Sequence, residues 1–220
     1  MKKICAITAE GLPVIEDIQN LPQGVCPVCE AARIARKAHE SVCGHGTFCR
    51  DGMYQLYLIP EDISVGQGTV EDLDLLKDCC DLIITANECD LSVRTAELVK
   101  ASLEFHYDEW YDHMTRKRCK AMECPAGYQL YIDPATCNGC GKCVAAAPAG
   151  AVAGGDGMIH VIKKDLLEMK SGDFISACPV GAIKKWTGAV KPAMPTDPVP
   201  AGSFGAAAGG EGGGRRRRRG

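Results

Sequence analysis

No stretch of this 220-residue chain is apolar for long enough to cross a bilayer, and the opening MKKICAITAE has only a six-residue apolar run before Glu10. That run is too short for the apolar core of a secretory signal, so neither export nor membrane insertion is expected. The chain also lacks a strong excess of one charge, with a formal net charge of −3. The balance hides an asymmetry: from Lys191 onward six basic residues face two acidic ones, so that end carries +4 and the remainder −7. An acidic body argues against nucleic acid as the main partner. The lone GQG at Gly66–Gly68 does not make a dinucleotide fingerprint. No general base, nucleophile or open metal position stands out, so no substrate chemistry is assigned.

Cysteine is what the chain has in abundance: 14 residues, in a sequence otherwise ordinary at 46% hydrophobic and 24% charged. Fourteen thiols mean either a secreted disulfide framework or ligation in a reducing compartment. With no export signal evident, ligation in the cytoplasm is the expectation.

The texture predicts an α+β protein: a small helical bundle, then a region of short strands and Cys-rich loops, then a disordered tail. Residues 1–25 read as a short strand and irregular connections without an assigned function. The bundle spans 26–127. Helical spacing runs from Cys29 to Val42, then from Phe48 to Leu58 with Pro60 as its close. A third helix starts at Thr69, whose hydroxyl can cap it, and presents Val70, Leu73, Leu76, Cys80 and Ile83 on one face. A fourth, capped by Ser92, continues to Met114. From 128 to 188 short strands and Gly/Pro/Cys-rich loops take over. Residues 189–220 are Pro-, Ala- and Gly-rich and end in an arginine run, a composition that cannot bury enough apolar surface to offset its ordering entropy.

CNGCGKC places Cys137, Cys140 and Cys143 at the spacing that wraps three corners of an iron–sulfur cube. Where a Cys-Pro would follow, Ala147 stands instead. An internal repeat answers the gap: AAAPAGAV around Pro148 matches SACPVGAI around Pro179 at an offset of 31. In two-cluster ferredoxins the cysteine before proline ligates the other half's cluster. The offset maps Ala147 onto Cys178, and Cys137, Cys140 and Cys143 onto Glu168, Ser171 and Phe174. One site therefore keeps Cys137, Cys140, Cys143 and Cys178, while the second has lost all four ligands. Residues 128–186 resemble the bacterial-type ferredoxin domain, and the resemblance implies a ferredoxin-like βαββαβ fold around one [4Fe–4S] cluster passing single electrons. A zinc knuckle or a vestigial fold is the blander alternative.

Upstream, ESVCGHGTFCRDG carries Cys43 and Cys49, and Cys89 opens CDLSVRTAELVKASLEFHYDEW. This arrangement is similar to the iron–sulfur helical region ending the NADH-binding subunit of respiratory complex I and of electron-bifurcating hydrogenases and formate dehydrogenases. The resemblance implies a second cluster on Cys43, Cys49 and Cys89, but Gly46 stands where that pattern has another cysteine. The fourth corner could fall to His45, to Cys26 or Cys29, or to nothing, leaving a three-iron cluster. The alternative is a helical scaffold whose thiols pack as small hydrophobes. The flavin- and NADH-binding domain that precedes the bundle in that family is not in this sequence.

His113, Cys119 and Cys124 mix imidazole and thiolate, a set suited to zinc, with Cys26 or Cys29 within reach as a fourth ligand. CPVC at Cys26–Cys29 makes a weak redox dithiol, since no thioredoxin-like strand precedes it. Cys79 and Cys80 read as packing. The expected function is an electron-transfer component rather than a catalyst on its own, relaying electrons between a separate flavin/NADH-binding subunit and a redox enzyme or ferredoxin. A redox-sensing or assembly adaptor, working through the arginine tail and unpaired thiols, is the reading from another class.

Overall fold

A computed structural model describes residues 7–86, 89–163, 172–188 and 192–204. The chain divides into two compact units, residues 1–129 and 130–220. The architecture is mixed helix and small sheets, with no described helix long and apolar enough to cross a membrane.

The first unit is helical. After the short α1 (Ile15–Gln19), α2 (Pro27–Ser41) starts with Pro27 in its first turn, where a missing N–H costs nothing. Its buried face is Val28, Ala31, Ile34, Ala35 and Ala38. The alanines let α2 lie close to α3 (Met53–Ser64) and α5 (Asp90–Phe105), its main neighbours. A π-helical turn, Phe48–Gly52, feeds α3, and α3 does not end before Pro60 as the sequence suggests. Pro60 sits inside it, buried, so burial of the ring outweighs the helical hydrogen bond its missing N–H forfeits. In α4 (Glu71–Ala86) the expected face is present, with Leu73, Leu76, Cys80 and Ile83 buried and Val70 exposed just before it. Thr69 is held at the helix start by Asp72, whose carboxylate accepts both its N–H at 2.7 Å and its hydroxyl at 3.2 Å.

The expected long fourth helix is two. It breaks at His106, which leaves helical geometry and engages the Ile18 carbonyl through Nε2 at 2.7 Å, and α6 (Tyr107–Thr115) follows. The cap of α5 is Cys89, and Ser92 lies buried within the first turn. Residues 1–6 lie outside the described region, and no strand precedes α1 among the described residues.

The second unit runs β1 (Gln129–Ile132), α7 (Lys142–Ala146), β2 (Val152–Ala153), β3 (Met158–Ile159), β4 (Val161–Ile162), α8 (Gly172–Ser176), β5 (Ile183–Trp186) and β6 (Val199–Pro200). The sequence repeat reappears as structure: β1–α7–β2 and β4–α8–β5 occupy matching positions in the two halves. Each half's strands pair with the other's, β1 with β5 and β2 antiparallel to β4. Two features depart from a plain βαββαβ order. Buried His160 separates β3 from β4, and β6 adds to β3, matching Met158 with Pro200 and Ile159 with Val199. The disordered tail expected from 189 therefore does not describe 192–204, where this pairing satisfies backbone groups and Pro195 is buried. The arginine run lies outside the described residues.

Candidate metal centres

Three groups of the predicted residues can be followed, two in the helical unit and one in the second. No disulfide joins the described cysteines.

Cys26, the residue capping α2, meets His113 of α6 and the loop after it. Cys26 Sγ lies 3.3 Å from His113 Nε2 and 3.4 Å from Cys124 Sγ. Ligand atoms of Cys26, His113, Cys119 and Cys124 all fall within 4.8 Å of one another, and all four residues are buried. That spacing suits one tetrahedral ion, whose thiolate ligands stand about 3.5–4 Å apart. The ring is oriented for it. The Glu109 carbonyl, 2.6 Å from Nδ1, can only accept, so Nδ1 carries the proton and Nε2 presents its lone pair to the thiols.

The loop is shaped to bring its thiols inward. Cys119 N–H donates to the Gly127 carbonyl at 2.9 Å. A Cβ at Gly127 would stand 2.2 Å from Cys119 Cβ, so only glycine permits this closure. Glu123 fastens the loop to α2 by accepting the Cys26 N–H at 2.6 Å. The crowded thiols polarise one another: hydrogen bonds from Cys124 and Cys26 hold Cys119 far toward thiolate, and Cys124, the donor, is pushed up. Cys29, half-buried with Sγ 2.9 Å from Cys124 Sγ, is a fifth donor at the margin, also shifted toward thiolate by its Cys124 neighbour. The donor chemistry fits a zinc-type ion. Of the two fourth ligands the sequence left open, Cys26 completes the buried set.

The second group is Cys43, Cys49 and Cys89. The Cys43 and Cys49 sulfurs are 3.8 Å apart. Burial, with Cys89 among the smaller contributors, pushes the Cys49 thiol up. His45 is exposed, and Cys26 and Cys29 belong to the first group. Burial raises the Cys79 and Cys80 thiols, as expected of neutral packed side chains.

In the second unit, Cys143 is buried at the start of α7, Cys137 and Cys178 are half-buried and Cys140 is exposed. Burial, then the nearby Cys137, Cys178 and Cys140, push the Cys143 thiol up to about 11. Those three cysteines are therefore near enough to Cys143 to act on its thiol, which puts the repeat-predicted residues in one neighbourhood. Gly139, at φ +73°, passes so close to Gly157 and Met158 that a Cβ would sit 2.6 Å from their backbone, which fixes the CNGC turn. Cys178 Sγ accepts the Ala182 N–H at 3.2 Å, the type of bond that stabilises a thiolate ligand. In the opposite half Phe174, at the place of a lost ligand, is buried as core; Glu168 and Ser171 lie outside the described residues. Three thiols on a tight turn plus a remote fourth suit a cubane.

Sequence reading missed three residues that touch these sites. His160, buried, has Nδ1 3.9 Å from Cys137 Sγ. Glu123 secures the loop, and Ser92, read as a cap, faces Cys49 instead. None had a signal in spacing, because each acts through tertiary contact.

Residues 30–113 match the family described as the NADH-ubiquinone oxidoreductase-F iron-sulfur binding region. The chain is 33% identical over 155 residues to the NADP-reducing hydrogenase subunit HndC of Solidesulfovibrio fructosivorans, covering 68% of this chain and 32% of that one. It is 39% identical over 82 residues to the F-type subunit of the NADH-quinone oxidoreductase of Streptomyces coelicolor, covering 37% of this chain and 18% of the relative. The chain thus spans under a third of the length of either. A crystal structure of an NAD+-reducing [NiFe]-hydrogenase overlaps 41% of this chain and 16% of that one, with a TM-score of 0.40 and 22% identity. That overlap adds nothing to the sequence matches.

Proposed function

We propose that this chain, whose helical unit carries the iron–sulfur region of the F-type subunits of NADH-quinone oxidoreductases, is an electron-transfer component of such an oxidoreductase. It would relay electrons between a flavin/NADH-binding partner and a redox enzyme or ferredoxin in a reducing cytoplasm. The observation that supports the reading is that Cys137, Cys140 and Cys178 all lie near enough to Cys143 to raise its thiol, as a set shared by one ligand would.

When bound there, a [4Fe–4S] cluster supplies single-electron chemistry without bond-making in a substrate. The protein's own contribution is placement. Cys137, Cys140 and Cys143 hold the position from one loop and Cys178 from the ferredoxin-like second half. Ala182 N–H donates to Cys178 Sγ and offsets thiolate charge. Exposed Cys140 marks the side nearest solvent, where an electron partner can approach. In the helical unit Cys43, Cys49 and Cys89 would hold a second cluster, and Cys26, His113, Cys119 and Cys124 a structural zinc. That ion's role is to fasten α2, α6 and the following loop.

The test is anaerobic purification with iron, sulfide and zinc counted per chain, followed by low-temperature EPR of the reduced protein. Reversible reduction by a low-potential donor is expected, with loss of the second unit's cluster signal in Cys178→Ala. An iron-free, colourless protein, or a Cys178→Ala variant with unaltered iron and absorbance, would overturn the reading.

A further inference from the structure

Among the described residues of the second unit, only His160 buries a side chain with polar nitrogen or oxygen atoms, at 1% exposure. It stands between β3 and β4, and room is made there for its ring. Gly154 has φ +144°, a conformation that strains other residues, and a Cβ on it would lie 2.5 Å from His160 Cδ2. Met194 and Pro195, on the segment leading into β6, line the same small cavity as His160. The ring is therefore shut in between the loop after β2 and the strand that closes the chain's described end.

The blander assignment is a packed core residue. A leucine or phenylalanine would fill such a slot without stranding a polar atom, whereas an imidazole brings two nitrogens into a dry place. Nε2 has no partner among the described residues. Nδ1 stands 3.9 Å from Cys137 Sγ, at the long end for a bond to sulfur. A neutral imidazole carries one N–H, and a buried N–H without an acceptor is rarer in proteins than an acceptor left unfilled. The proton therefore belongs on Nδ1, facing the sulfur.

We propose that His160 tunes the second unit's cluster by donating its Nδ1–H to the Cys137 sulfur. This rests on the reading that Cys137, Cys140, Cys143 and Cys178 hold that cluster. Reduction places more negative charge on the sulfurs, so a donor aimed at one of them stabilises the reduced form more and raises the midpoint potential. No proton moves: the cluster takes up one electron and the hydrogen stays on Nδ1. Cys178 receives a comparable bond from the backbone, through Ala182 N–H at 3.2 Å. At Cys137 the donor is a side chain, and a substitution can remove it. Burial keeps water from competing for the sulfur, which strengthens the bond.

The full chain is prepared anaerobically as wild type, His160→Leu, His160→Asn, His160→Gln and Cys178→Ala. Redox titrations are followed by low-temperature EPR, and the second unit's signal is the one that Cys178→Ala removes. An asparagine amide nitrogen is as many bonds from the backbone as Nδ1, and a glutamine amide nitrogen as many as Nε2. His160→Leu should keep its iron and be about tenfold harder to reduce, a midpoint lower by about 59 mV for one electron. His160→Asn should stay near wild type, while His160→Gln should follow the leucine variant. The contrast between the two amides decides the matter if His160→Leu fails to accumulate.

An unshifted midpoint in His160→Leu would overturn the proposal. So would equal midpoints in the asparagine and glutamine variants, which would mark a residue that only fills space. A wild type without any signal that Cys178→Ala removes would instead take away the reading on which the proposal rests.

Discussion

Asp133 stands at the head of the loop carrying Cys137 and does more than bridge charge. Its carboxylate accepts the Ala135 N–H at 3.1 Å and the Thr136 hydroxyl at 2.7 Å, and pairs with Lys184 of β5. Lys184 first, and Thr136 after it, hold the Asp133 carboxyl below its usual range. A lowered folded pKa contributes stability that is present above the unfolded value and is lost as pH falls through the folded one. Thermal melts between about pH 5 and about pH 2 should therefore show Asp133→Asn with a shallower acid loss than wild type; superimposable acid limbs would contradict this. In the helical unit, His113 is the only nitrogen donor in the buried set of four. His113→Ala should bring zinc from about one per chain to near zero while leaving iron unchanged, as read by elemental analysis.

Among the elements, α2, α5 and α6 are tied by one buried polar chain. Trp110 Nε1–H donates to Ser102 Oγ at 3.3 Å, and the Ser102 hydroxyl donates to the Pro27 carbonyl at 3.1 Å. Ser102→Ala leaves an indole N–H and a carbonyl without that partner in a dry core, at a cost of about 1–3 kcal/mol, measurable by chemical denaturation. A loss no larger than that of an exposed serine would contradict it. These helices also show what a sequence discloses. The buried face of α4 follows helical periodicity at Leu73, Leu76, Cys80 and Ile83, and α2 lies close to its expected span. The break at His106 depends on a carbonyl of Ile18, and the continuation through Pro60 depends on burial of its ring, so neither has a local signature. β6 was hidden for the same reason: a Pro-rich segment gains order only from its partner strand β3.

Taken as a whole, the molecule made its two kinds of site legible to different degrees. The quartet in the second unit could be put forward from sequence because a repeat offset is a one-dimensional record of two matching halves. Cys26 could only be named as reaching His113, since 87 residues separate them and nothing short of the folded bundle brings them together. Strong chelation should accordingly lower the thermal midpoint of the helical unit, because a metal bound only by the folded form adds its binding energy to stability. A midpoint unmoved by chelation that removes all zinc would argue that the loop is held by Glu123 and packing alone. The Cys26 and Cys124 thiols, 98 positions apart, stand side by side. A metal shared between them closes nearly the whole helical stretch into a ring. A protease nick in any exposed connection inside it would then go unnoticed in native electrophoresis, both pieces migrating as one, and would show only once the ion was stripped away.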